Sequence, residues 1–144
     1  MLRLLTTTCI LAILSGAAWA DCKSREIKGL YLAYNAGTDG SDFVASVCGL
    51  KVSKRGRIAS GSSCVSAVTN PILGGRLRLA RDCTVTGVIK TAAGDIEIPL
   101  ASMDRDKATV SGVYLVPAGQ GSFTAVKHNN VSGASPSMAR YFGE

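Results

Sequence analysis

Beyond Cys22 the hydrophobic and polar positions alternate with period two. Arg76-Leu77-Arg78-Leu79 places leucines on one side and cations on the other, and Asp95-Ile96-Glu97-Ile98-Pro99-Leu100 repeats the scheme with acids outside. Such alternation marks strands with one buried face. Turn signals punctuate the runs at Gly37–Asp42, Lys54-Arg55-Gly56, Ala93-Gly94-Asp95, Met103–Asp106 and Ala118–Gly121. The pattern predicts strands near 28–35, 43–53, 56–60, 63–69, 76–81, 83–90, 95–101, 108–116 and 121–127. About eight are expected, because 56–60 and 63–69 read equally well as one strand bent at Gly61.

A weak internal repeat points the same way. Thr84-Val85-Thr86-Gly87-Val88 returns as Thr109-Val110-Ser111-Gly112-Val113, and the Ala93-Gly94 turn returns at the same offset as Ala118-Gly119. Gly29-Leu30-Tyr31-Leu32 followed by Ala36-Gly37 resembles an earlier copy with one extra residue. Each copy reads as a strand, an Ala-Gly turn and a return strand. Hairpins in series make a meander, so the expected fold is all-β: a small antiparallel up-and-down meander closing into a barrel or a compact sandwich.

The two ends read differently from the middle. Residues 1–20 carry Arg3, an apolar stretch over Cys9–Leu14 and a small-x-small site at Ala18-Trp19-Ala20, the layout of a secretory signal peptide cut before Asp21. The apolar stretch is shorter than the roughly 20 residues a membrane-spanning helix needs. A lipoprotein reading fails because Asp21, not a small residue, precedes Cys22. Residues 129–144 lack alternation and read as a mobile tail, leaving 21–128 as one domain. An outer-membrane barrel is disfavoured by short predicted strands and few aromatics. The expected location is periplasmic or secreted, with no transmembrane span after cleavage.

Cleavage leaves four cysteines, Cys22, Cys48, Cys64 and Cys83, and in an exported chain an even count reads as two disulfides. Their separations contain no close pair of the kind metal sites use. The turn-like Asn70–Gly75 segment lies midway between Cys64 and Cys83, so the expected pairing is Cys64–Cys83 with Cys22–Cys48. No metal or cofactor is expected.

Candidate chemistry is sparse. His128, the sole imidazole, falls at the end of the last strand, and no serine sits in a G-x-S-x-G elbow. Asp95 and Glu97 share an outward face, while Asp104/Asp106 and Asp39/Asp42 flank turns without the longer ligand series of a calcium loop. Gly119-Gln120-Gly121 leads into a strand, so it offers no helix N-terminus to a phosphate. The chain is therefore expected to be no enzyme.

Charge adds the one positive lead. The chain has 16 Lys and Arg against 10 Asp and Glu, a net +6. The candidate ligand-binding residues are Lys51, Lys54, Arg55 and Arg57 around one turn, and Arg76, Arg78 and Arg81 along one strand region. Arg81 has the parity of Leu77 and Leu79, so either a bulge resets the register before Asp82 or Arg81 points inward. Nucleic acid is not expected as a partner, since few aromatics interleave with the cations. The general look is similar to small exported β-barrels, including calycin-like binders and secreted-enzyme inhibitors; that resemblance is architectural and gives no residue a role. The expected function is a binding module for an anionic envelope ligand or an acidic protein surface. One version inhibits a secreted hydrolase by inserting a turn, Gly37–Asp42 or Ala118–Gly121, into its cleft. The alternative is an envelope component assembling through edge strands or its C-terminal tail.

Overall fold

A computed structural model describes residues 21–66 and 69–128. The expected signal peptide and tail lie outside the described residues. Eight strands follow one another as β1 (Gly29–Asp39), β2 (Asp42–Val52), β3 (Ser63–Val65), β4 (Thr69–Leu79), β5 (Thr84–Thr91), β6 (Gly94–Met103), β7 (Thr109–Val116) and β8 (Gly119–His128). Each pairs antiparallel with the next, and β1 pairs with β8, so the sheet closes into a barrel. The expected meander is present, and of the two closures expected it is the barrel that forms.

The alternating residues sort as the pattern predicts. Leu77 and Leu79 are buried while Arg76 and Arg78 are exposed; Ile98 is buried while Asp95 and Glu97 are exposed. The repeat maps onto β5 and β7, and both of its Ala-Gly signals form two-residue connections, at 92–93 and 117–118. The earlier copy departs from this. Ala36 and Gly37 lie inside β1, which runs on to a turn at Gly40-Ser41.

Several strands are longer than their sequence runs. β1, β2 and β4 each span 11 residues, and β6 and β8 span 10. Strand length therefore does not distinguish this barrel from a membrane-spanning one. The interior is apolar, and the outer face carries Arg76, Arg78, Lys90, Asp95 and Glu97 together with exposed Leu73, Leu100, Val113 and Leu115. Among the described residues no helix is long and apolar enough to cross a membrane.

Both disulfide partners differ from the expected pairing. The bonds are Cys22–Cys83 and Cys48–Cys64. Asn70–Gly75 is not a turn but the first half of β4, pairing with β3 at Asn70 and Pro71 and with β5 from Ile72, with a bulge between Ile72 and Gly74. Cys64 thus faces the start of β4, while Cys83 lies beyond its far end, roughly 30 Å away at about 3.3 Å per residue. Cys48 and Cys64 are direct cross-strand partners with Cα atoms 3.9 Å apart. Cys22 reaches Cys83 because its N–H donates to the Arg81 carbonyl, and the Lys107 ammonium lies 2.9 Å from Cys22 Sγ.

That second bond holds a plug. A short 3-10 helix, Ser24–Ile27, covers one end of the barrel and buries Ile27 in the core. Tyr31 donates from its hydroxyl to the Ile27 carbonyl, and the Lys127 ammonium donates to the Glu26 carbonyl from a position over the Tyr31 ring.

Loop entropy ranks the two bonds. Cys22–Cys83 closes 61 residues and Cys48–Cys64 closes 16, so the Cys22→Ala/Cys83→Ala pair is expected to cost about 1 kcal/mol more in urea unfolding than Cys48→Ala/Cys64→Ala. Non-reducing peptide mapping checks the pairing itself; a Cys64–Cys83 peptide contradicts this fold.

Candidate functional site

The cations come together because a loop is pressed against a strand. Residues 53–62 fill the wall between β2 and β4 where β3 is absent. Gly56 occupies φ +75°, and a Cβ there would lie 1.9 Å from the Leu77 carbonyl oxygen, so both conformation and contact require glycine. Leu77 N–H donates to the Gly56 carbonyl, and Ile58 N–H donates to the Gly75 carbonyl. This clamp makes Arg57 the direct antiparallel neighbour of Arg76. It also sets Lys54 and Arg55 beside Arg76 and Arg78 around a surface depression of about 330 Å³.

Among the described residues, none of Lys54, Arg55, Arg57, Arg76 and Arg78 makes an ion pair. Like charges directly opposite each other on a sheet are destabilising by some tenths of a kcal/mol. Beside them, Gly74 and Gly75 on β4 and Gly87 on β5 leave a floor without side chains, bordered by Lys90. Lys90 was not among the sequence candidates; its place on this face follows only from its pairing with Gly74.

Two of the seven candidates stand apart. Lys51 lies on the far side of the 53–62 loop, with Lys28, Lys127 and His128 around another depression. Arg81 is exposed in the turn after β4, and β4 ends at Leu79 before strand parity would carry Arg81 inward. Neither the bulge nor the inward guanidinium expected there is needed.

The other candidates have structural partners or open surroundings. His128 is half-buried at the end of β8. Asp104 accepts hydrogen bonds at Oδ1 from the N–H groups of Ala108 and Thr109. The Thr109 bond foremost holds its carboxyl below the ordinary range, which suits a turn-forming role. Among the described residues no group of three or more His, Cys, Asp or Glu is arranged to hold a metal.

The end opposite the plug is open. A mouth of about 270 Å³ is lined by apolar Ile96, Val116 and the Cys48–Cys64 pair, by polar Asn35, Ser46 and Tyr114, and by one charged side chain, Asp39. Below it the interior is nearly filled, with about 40 Å³ remaining. Asn35 Nδ2 donates to Ser46 Oγ. The Tyr114 phenol lies over two glycines, where a Cβ on Gly37 or Gly121 would come within 2.6 Å of it. Burial raises its pKa. Gly37 therefore serves as a seat for an aromatic ring, not as the turn expected at Ala36-Gly37. The turns at Gly40-Ser41 and Pro117-Ala118 meet at the rim, where Gly40 N–H donates to the Ala118 carbonyl.

No protein-family model matches the chain, and no curated protein is significantly similar to it. The functional reading therefore rests on these surfaces alone.

Gly56→Ala is expected to lower stability by at least about 1 kcal/mol and to loosen Lys54–Arg57 from β4, seen as faster amide exchange at Leu77 and Ile58. Unchanged exchange there argues against the clamp. The tyrosines give a pH test. Tyr31 is raised in pKa by burial first and then by Asp104, and Tyr114 by burial. An unfolded tyrosine titrates near about 10, so this stabilisation is complete below about pH 10 and declines as pH rises further. Tyr31→Phe should be about 1 kcal/mol less stable at neutral pH for want of its hydrogen bond, yet lose less between about pH 9 and 12. Parallel stability–pH curves for the two proteins would contradict this.

Proposed function

We propose that the protein is a non-enzymatic binding module of the periplasm or secreted space that recognises an anionic ligand or an acidic protein surface through Lys54, Arg55, Arg57, Arg76 and Arg78. Two disulfides are consistent with an oxidising compartment. The observation that carries the binding reading is the Arg57–Arg76 pairing: two like charges held opposite each other, by a glycine-dependent clamp, with no ion-pair partner among the described residues. A merely solubilising face has no need to concentrate cations at a stability cost. Lys90 and the glycine floor extend the surface along β5.

Such a face speeds and orients encounter with an acidic partner, while shape complementarity sets residence time. In the hydrolase-inhibitor version the turn element is the joined rim of Gly40-Ser41 and Pro117-Ala118. The self-assembly alternative loses the β1 and β8 edges to closure and is left with the short 42–46 stretch of β2 among the described residues. Its tail version lies outside the described residues.

The oxidised protein, used as bait against envelope and culture-supernatant extract, should retain a stoichiometric partner at about 0.15 M salt and release it at about 0.5 M. Arg76→Glu/Arg78→Glu should weaken that capture about tenfold or more, and Lys28→Glu/Lys51→Glu, an equal change in net charge elsewhere, much less. Equal losses from the two reversals would reduce the effect to net charge and remove the case for a site.

A further inference from the structure

Among the described residues the barrel wall has a gap beside β2, and the register of β2 says what is exposed in it. β3 pairs only with Val47–Gly49 of β2. Below that, the 53–62 loop takes over: Ala59 N–H donates to the Lys51 carbonyl, and Lys51 N–H donates to Ser62 Oγ. Above it, residues 42–46 pair with β1 on one side and have no partner on the other among the described residues.

The phase of the ladder fixes which backbone groups are free. The 3.9 Å Cα separation of Cys48 and Cys64 marks a non-hydrogen-bonded pair. Cys48 therefore turns its N–H and C=O toward β1, and the residues on either side turn theirs away from it. Lys51, of the same parity as Val47 and Gly49, bonds on that far side as the alternation requires. Carried upward, the alternation leaves the N–H and C=O groups of Phe43 and Ala45 directed into the gap. Their surroundings are unusually apolar for an exposed strand: Phe43 is 74 % exposed and Val44, at the mouth, 37 %.

We infer that Asp42–Ser46 is a strand-addition site for an extended peptide segment of a partner protein, uncharged or basic, which places an apolar side chain into the barrel mouth. Backbone pairing to Phe43 and Ala45 supplies the affinity, and alternate side chains supply the selectivity. The inward side chain meets Ile96 and Val116, with Asn35 and Tyr114 at the floor. Charge excludes an acidic segment: among the described residues Asp39 is the only charged side chain lining the mouth, and Asp42 stands beside it at the hairpin end. A single strand fits better than the edge of a second barrel, because Val44–Ser46 lines the same cavity as Thr91, Ala93 and Gly94. A strand carrying its own sheet would have to share that space with the β5–β6 turn. The site is separate from the cationic face and does not depend on it.

Amide exchange of the oxidised protein tests this, with three capped probes: Ac-Ala-Lys-Val-Lys-Ala-NH2, its glutamate counterpart Ac-Ala-Glu-Val-Glu-Ala-NH2, and the lysine peptide N-methylated at valine. In the free protein, the Phe43 and Ala45 amides should exchange about a hundredfold faster than those of Val47 and Gly49. The lysine peptide at millimolar concentration should slow them about tenfold, and the other two probes should not. Ala45→Pro should keep the barrel folded and abolish the protection, since that N–H serves only the gap. Slow exchange of both amides in the free monomer would show the edge covered by this chain itself. Protection that grows with protein concentration would show a second copy there. Either result overturns the inference, as does equal protection by all three peptides or by none.

Discussion

Ten consecutive pairings between β1 and β8, from Leu30–His128 to Asp39–Gly119, turn a meander into a closed wall. Closure satisfies the backbone groups that an open sheet would leave at its two edges. It also divides every strand into an inward and an outward set, so a core of isoleucine, leucine, valine and methionine fills a space with two ends. The plug at one end, the mouth at the other and the charged exterior all follow from that division. The Cys22–Cys83 bond secures the plug, and the Cys48–Cys64 bond sits beneath the mouth.

The wall is uneven, and its unevenness gives it distinct surfaces. A three-residue β3 cannot span the height of its 11-residue neighbours. Toward the plug the shortfall is made up by a loop that must fold over β4 on a glycine, and the loop's own cations are thereby concentrated against those of the strand. Toward the mouth no described residue makes it up. One short strand thus accounts for both the crowded cations and the unpaired stretch of β2.

Much of the architecture was legible in the residues. Period-two runs such as Arg76–Leu79 depend on local chemistry alone, and they sorted inward and outward as read. The Thr-Val-x-Gly-Val repeat marked two strands and the turns that follow them. Where the reading departed, the deciding contact was remote. Asn70-Pro71 with Gly74-Gly75 has every local mark of a turn, yet its backbone is taken up by β3 on one side and β5 on the other. Pro71 is tolerated near a strand start, and Leu73 is absorbed as a bulge. The cysteine pairing failed with it, because a disulfide records register, and register across a short strand is not written in spacing. Arg81 looked anomalous only while the strand was taken to continue past Leu79. The cations were visible one by one, but their meeting depends on Gly56. Tyr114 and Asn35 carried no signal, since each matters through glycines or hydroxyls brought to it by other strands.

Connectivity also imposes an order on maturation. Of the four paired cysteines, Cys22 is made first, then Cys48 and Cys64, and its partner Cys83 only 61 residues after it. An oxidant acting early joins Cys22 to whichever thiol is at hand. β1 cannot correct this by closing, because its second partner is the last strand. Wherever such a mispaired bond forms, productive folding passes through exchange between disulfides, and yield then follows the supply of an isomerising dithiol as well as that of oxidant.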